Sequence, residues 1–482
     1  MQKPQVNWIW CLAALFLAGE AAASGYFVAR FGGEQGHPTG DSPTAIYYNP
    51  AALSLGKGTR LFLDANIVTR AFEYVRDPAA IDNVREAGDI GNGTPEAAIA
   101  ANSGTATLDN FLVSPFIGVT TDLGGIVPGL QLGFGLYAPF GGASAYEKNE
   151  AYAGDNTYPG AVDGPQRWWA IEGSIRHIYI TAAASYYIPA ARLSLGASLN
   201  MVNSEIHTAR ARNGDGSDHM VAGADEQPVE GRALIDVTSR DFTFGAGLMW
   251  QPTDELFIGL SYQSAPGGEE MTLEGTGVLI QGAAPASEPD IEVYQSMPDV
   301  WQFGMRYTKK DNFEVRLAGN YIGWSKFEQQ CGINIDPTLG QSCENNDFSN
   351  VLFVIHRGWE DGFALRGGAS YWTSPAVELL LGAGYDTSAI PDENVEPALY
   401  DTDKYTVTGG ARIELMDESL ALALTYTQVI YVDRDIAPRG HADGASLTTL
   451  PESWPEGTRN PDAAGKYSQS IGVLNTSVQY SF

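Results

Sequence analysis

In the closing stretch of the chain, Leu474, Thr476, Val478, Tyr480 and Phe482 alternate with Asn475, Ser477, Gln479 and Ser481. That is a strand with one apolar and one polar face, and it ends on an aromatic residue. In a soluble protein the apolar face would need a packed layer above it, yet the same pattern recurs along the chain with almost no helical segments to supply one. Lipid is the expected cover.

The other end of the chain reads as a secretory signal over residues 1–23. Lys3 precedes a mostly apolar run from Ile9 to Ala18, and Ala21-Ala22-Ala23 offers a small-residue cleavage site before Ser24. The apolar run is too short for a spanning helix, which needs about 20 residues. Two cysteines remain beyond this leader, Cys331 and Cys343. In an exported chain a disulfide stapling one loop is expected of them; two reduced or metal-bound thiols are the alternative, and no histidine sits at a ligand spacing to favour a metal.

Composition narrows the class. With 58 acidic against 28 basic residues and a formal charge of −30, the chain would be repelled by nucleic acid. No H-E-x-x-H, G-x-S-x-G or P-loop pattern occurs, so no catalytic centre or cofactor is expected. Asp215-Gly216-Ser217-Asp218 and Asp433-Arg434-Asp435 lack the spacing of a calcium loop and read as solvated acidic loops.

From residue 59 onward, alternating runs are separated by gaps that are short and long in turn. The short gaps, at 122–129, 189–192, 251–255, 309–312, 374–376 and 416–419, carry the Gly, Pro, Asp and Asn of tight turns. The long gaps fall near 76–108, 138–166, 211–232, 265–295, 328–349, 389–403 and 433–466. Six turns interleaved with seven loops predict an all-β fold, a transmembrane antiparallel β-barrel of about 14 strands. Trp301, Phe303, Met305 and Tyr307 should face lipid and Gln302 and Arg306 the lumen, because a charge at the bilayer midplane costs roughly 2–4 kcal/mol. Tyr186, Tyr187, Trp250, Phe257, Tyr307, Phe313 and Trp372, beside the short turns, fit an aromatic girdle.

Residues 24–58 have a different character. They are rich in Gly and Pro without alternation, yet Ala45-Ile46-Tyr47-Tyr48-Asn49-Pro50-Ala51-Ala52-Leu53 is too apolar for a solvated tail. A compact plug in the lumen is expected, with 59–482 forming the barrel.

The order of signal peptide, Ser24-Gly25-Tyr26, a Gly-rich stretch, Tyr48-Asn49-Pro50-Ala51-Ala52 and alternating strands to a terminal Phe482 resembles the FadL/TodX family of outer-membrane transporters for hydrophobic compounds. The resemblance implies a 14-stranded barrel whose N-terminal hatch fills the lumen, with Asn49, Pro50 and Ala51 in the hatch core and Ser24, Gly25, Tyr26 and Phe27 near the ligand. It also implies a kinked third strand that opens the wall sideways. Here that strand runs into Ala138-Pro139-Phe140-Gly141-Gly142, where Pro139 cannot donate to a ladder and Gly141 and Gly142 weaken it; a simple strand end is the alternative. The function expected is passive uptake, by a monomer in the bacterial outer membrane, of a fatty acid or hydrocarbon that passes on into membrane lipid. A general porin and an outer-membrane lipid hydrolase are the rivals.

An apolar catch site is expected among Tyr152, Trp168, Trp169, Trp324 and Phe327, which otherwise serve girdle or loop packing. A fatty-acid carboxylate would need a cation, and Arg306, Arg316, Arg366 and Arg412 lie on inward faces. Glu314, Glu378 and Glu414 share those faces, so a ladder of ion pairs is the competing role.

Overall fold

A computed structural model of the chain describes residues 29–81, 84–85, 94–95, 98–213, 218–222, 227–281, 285–309, 312–335, 351–438 and 461–482. The signal segment, Ser24 to Phe27 and Cys343 lie outside the described residues; Cys331 is buried and disulfide-bonded.

Fourteen antiparallel strands close into one cylinder. The first six are β1 Thr59–Arg76, β2 Gly104–Thr121, β3 Leu130–Ala145, β4 Glu172–Ile188, β5 Leu193–Ala211 and β6 Arg232–Trp250. The next four are each interrupted: β7 is Leu256–Gln263 then Met271–Ile280, β8 Asp290–Gln295 then Val300–Lys309, β9 Phe313–Ile322 then Gln329–Asn334, and β10 Val351–His356 then Gly362–Ser374. The last four are β11 Val377–Asp386, β12 Lys404–Leu415, β13 Leu420–Tyr431 and β14 Gly465–Ser481. β1 pairs with β14 from Arg60↔Ser481 to Arg76↔Gly465 and with β2 from Thr59↔Thr121 to Arg76↔Gly104, so the sheet has no free edge there. Connections after even-numbered strands are short and those after odd-numbered strands long, as the gap pattern predicts.

The faces follow the alternation. Trp301, Phe303, Met305 and Tyr307 are 36–43% exposed, whereas Gln302 and Arg306 are 2% and 7% exposed. Leu422, Leu424 and Tyr426 repeat the outward pattern across from buried Ala421 and Ala423. A belt of apolar side chains this continuous is stable only against hydrocarbon. Phe257 departs from the expected girdle: it is buried in the lumen, with the Arg306 guanidinium 4.4 Å from its ring centre.

Part of the long-loop region is sheet. Residues 265–295 and 328–349 read as loops in sequence, yet Met271–Ile280, Asp290–Gln295 and Gln329–Asn334 pair with β6, with one another and with Val351–His356 to extend the wall. Met271 and Leu273 face the interior, but Thr272 and Glu274 face outward. Met271–Ile280 and Asp290–Gln295 therefore lack the unbroken apolar outer face that marks a lipid-facing strand, whereas Cys331 and Ile333 of the third segment are buried in a small apolar cluster with Val354. At the interruptions, Trp324, Phe327 and Trp359 turn inward and bury together, with ring centres 4.8–6.1 Å apart.

Residues 29–58 cross the lumen at the short-turn end. One helical turn, Ala45–Tyr48, and a 3-10 turn, Pro50–Leu55, are buried against β3 to β6, while Glu34 and Gln35 reach the opposite wall at β9 and β11. Close approach is made possible by glycines on the inner wall. A Cβ at Gly196 would strike the backbone of Ala51, and one at Gly247 the side chain of Asn49.

Candidate functional site

Asn49 explains the Asn-Pro-Ala element. Its backbone is extended and Pro50 starts the 3-10 turn, where a missing N–H costs nothing. Its Oδ1 accepts from Ala51 N at 3.1 Å, and its Nδ2 donates to the carbonyls of Pro38 (3.0 Å) and, across the lumen wall, Leu248 (3.1 Å). With no exposed surface, the side chain ties both halves of the segment to β6. Asn49→Ala should loosen residues 29–58 by roughly 2–4 kcal/mol, since three hydrogen bonds, two of them fully buried, go at once. Hydrogen exchange should quicken there and stay unchanged in β11 to β14.

The four arginines expected from sequence lie in the lumen, and carboxylates engage all of them. Arg306 lies 3.6 Å from Asp41 and 3.4 Å from Glu314; Arg316 is 3.3 Å from both Glu34 and Glu314. Arg366 meets Asp386 at 3.1 Å, and Arg412 meets Glu414 at 2.5 Å and Glu378 at 3.8 Å. Two of these acids, Glu34 and Asp41, belong to the N-terminal segment, so the ladder fastens that segment to the wall. Burial pushes the Asp41 carboxyl up, but the Arg306, Arg60 and Arg412 guanidiniums overcome it and hold the group below its ordinary range.

Above this segment, toward the long loops, lies a cavity of about 120 Å³. Its apolar wall includes Trp169, Ile175, Ile206, Ile235, Phe353 and Tyr400. The loop between β11 and β12 folds inward to line it: Tyr146 Oη donates to Pro397 O at 2.7 Å, and Glu396 pairs with Arg357. Three arginines line the cavity, and only Arg357 has a carboxylate partner among the described residues. Arg210 is 6% exposed, its Nε has no hydrogen-bond partner among the described residues, and its guanidinium lies 5.5 Å from the Phe353 ring centre. Among the described residues Arg70 is bonded only to an amide and a carbonyl. Just outside the lining, burial brings the Arg212 guanidinium down to about 10, still charged at neutral pH. In a chain of net charge −30 this is a buried positive chamber. Sequence reasoning missed Arg70 and Arg210: strand alternation gives the face a side chain points to but not whether a partner waits there.

The cavity abuts the third strand where its pairing fails. β2 and β3 pair only from Phe116↔Tyr137 to Thr121↔Leu132. Beyond Tyr137, β3 holds β4 alone, and its register shifts from Tyr137↔Tyr179 to Phe140↔His177, so Ala138 and Pro139 oppose the single residue Ile178. This is a β-bulge at Pro139, and Pro115 sits on the facing strand at the level where the pairing stops. Gly141 and Gly142 continue along β4, and Gly142, Ala143 and Ser144 line the cavity. Phe140 turns inward, 2% exposed, its ring edge-on to Trp324 at 6.0 Å. Phe31 of the N-terminal segment packs 5.2 Å from Phe116 and 5.4 Å from Tyr137, the last paired residues on the two sides of the parting.

The expected catch-site residues are scattered. Trp168 donates to Asn102 Oδ1 at 2.6 Å within a buried loop cluster, Trp324 and Phe327 pack edge-on against Trp359, and Tyr152 is half-buried; Trp169 alone among them lines the cavity. Asp218 of the acidic loop is buried against Arg76 at 2.7 Å. Residues 214–217 lie outside the described residues.

A closed 14-stranded barrel with a lumen-filling N-terminal segment defines an outer-membrane channel protein. Residues 9–453 match the family described as outer membrane protein transport protein (OMPP1/FadL/TodX), and the chain belongs to that family. It is 20% identical over 132 residues to a long-chain fatty acid transport protein of Escherichia coli and 24% identical over 183 residues to a 47 kDa outer membrane protein of Pasteurella multocida. These stretches cover 27% and 35% of this chain and only 27% and 39% of the two relatives. The fold superposes on a Pseudomonas aeruginosa FadL homologue with a TM-score of 0.70 at 15% identity, covering 96% of this chain and 100% of that one. For the Ralstonia pickettii toluene transporter TbuX the TM-score is 0.60 at 15% identity, with 97% and 100% covered.

Proposed function

We propose that the protein takes up long-chain fatty acids by passive diffusion. The cargo enters from the long-loop side, rests in the cavity with its carboxylate between Arg70 and Arg210, and leaves sideways into lipid between β2 and β3. The hatch, residues 24–58 with Asn49, Pro50 and Ala51 at its core and Ser24, Gly25, Tyr26 and Phe27 directed at the ligand, closes the axial path. A side exit spares an apolar chain from crossing water. The observation that carries this reading is the junction of an apolar cavity, two arginines without a carboxylate partner among the described residues, and the unpaired stretch of β3. A buried guanidinium without a carboxylate in direct contact is costly, Glu396 acting on Arg210 only from a distance, and an anionic guest supplies the contact.

Arg210→Met should weaken oleate binding on the order of tenfold to a hundredfold, the range of a lost charge-assisted hydrogen bond, and leave binding of toluene unchanged. Quenching of tryptophan fluorescence in nanodisc-embedded protein measures both. Equal loss for the two ligands would count against a headgroup site. A neutral aromatic cargo is the second reading, favoured by the cavity's volume, which is close to that of engineered cavities that hold one benzene ring. Toluene binding that outcompetes oleate in the unaltered protein would favour it.

A further inference from the structure

Arg70 serves two structures at once. Its side chain lines the cavity, its Nε donates to Gln469 Oε1 at 2.7 Å, and its Nη1 reaches the carbonyl of Ala143 at 3.3 Å. Asn110, its cross-strand neighbour on β2, donates Nδ2 to the same carbonyl at 2.8 Å. Six steps beyond Phe116↔Tyr137, an unbroken ladder would set Asn110 opposite Ala143. Two side chains therefore occupy the place of the missing backbone donor, and the parting of β2 and β3 is a seam laced across the gap. Further up, Glu147 N donates to Thr107 O at 3.0 Å and rejoins the two sides.

We infer that Arg70 and Asn110 are a latch on this seam and that a carboxylate in the cavity draws Arg70 off Ala143, so that an acidic cargo opens its own exit. The inference rests on the uptake reading above and adds to it the residue that couples the charge of the cargo to the wall. The competition has a defined direction. A guanidinium bonds a carboxylate more strongly than a neutral carbonyl, and more so in a site that excludes water. The resident acid of the cavity lining, Glu396, is held by Arg357 and does not compete for Arg70. With Arg70 withdrawn, Ala143 is left to the neutral amide of Asn110. An uncharged molecule of the same length leaves Arg70 where it is, and the seam stays shut.

Nitroxides at Asp109→Cys and Ala145→Cys, both exposed beside the seam, report its width through dipolar broadening; Cys331 is disulfide-bonded and takes no label. Dodecanoate and 1-dodecanol are compared in nanodiscs, with binding of each followed by tryptophan fluorescence in the same sample. Dodecanoate should widen the label separation by about one strand spacing, roughly 5 Å, and abolish the broadening, whereas dodecanol should leave it intact. In Arg70→Gln, which can still reach Ala143 but carries no charge, the broadening should persist with either ligand. Equal widening by dodecanol, or dodecanoate bound with no widening, overturns the latch while the uptake reading stands. If neither ligand binds, the uptake reading falls and the latch with it. Should Arg70→Gln fail to fold, as judged by heat-shifted gel mobility, the two ligands on the labelled, otherwise unaltered protein decide the matter alone.

Discussion

Removal of residues 24–58 should turn a nearly silent barrel into an open pore, raising single-channel conductance in planar bilayers by roughly tenfold or more. The cylinder does not depend on the segment for closure, because β1 is held by β14 and β2 along its whole length. The wall charges survive the deletion as well: Arg306 and Arg316 keep Glu314, Arg412 keeps Glu414 and Glu378, and Arg366 keeps Asp386. Water replaces Glu34 and Asp41. What disappears is the apolar body of the segment, with Phe31, Ile46, Tyr47, Tyr48, Ala51, Ala52 and Leu53 all buried in the lumen. The glycines that made room for it, Gly196 and Gly247, leave the bore wider still. Sucrose should then equilibrate across proteoliposomes containing the shortened chain. Unchanged conductance would show that the lumen is already open and would favour a general porin.

How much of this was legible in the sequence depends on which forces shape each part. The lipid-facing strands announce themselves, since hydrocarbon demands an unbroken apolar face and Trp301, Phe303 and Met305 supply it in strict alternation. The bulge at Pro139 is likewise local, a property of one residue without an N–H. Above the bilayer the demand lapses. Met271–Ile280 and Asp290–Gln295 are sheet without an unbroken oily outer face, so nothing in their composition separates them from loop. The site is harder still, because it is defined by partners missing across long separations. Arg306 and Arg210 look alike as inward-facing arginines, and only the fold brings Asp41 to one and Phe353 to the other.

Protonation of His37 should favour release of the hatch, and this share of the pH dependence is separable from that of the carboxylates around it. The ring is 7% exposed, its Nδ1 lies 3.0 Å from Thr39 Oγ1, and burial together with the Arg316 and Arg306 guanidiniums holds its pKa well below 6.5, with Asp41 opposing. Once the hatch leaves the lumen, His37 is hydrated and titrates near its ordinary value. Between the two values the released state carries a proton that the docked state does not, so docking is favoured at high pH and weakens as pH falls below about 6.5. One proton shifts the equilibrium up to tenfold per pH unit, or roughly fifteenfold between pH 6.5 and 5. Asp41 does not confuse this window: its carboxyl is held below its ordinary value, so its contribution is lost only at lower pH. His37→Gln keeps a partner for Thr39 and removes the titration. The ratio of channel open probability in the unaltered protein to that in His37→Gln should therefore rise steeply from pH 6.5 to 5, while other lumen carboxylates, common to both proteins, cancel. A flat ratio would mean that His37 stays buried when the channel opens, and the hatch would then have to move as a folded body that never exposes Glu34 through Asp41 to water.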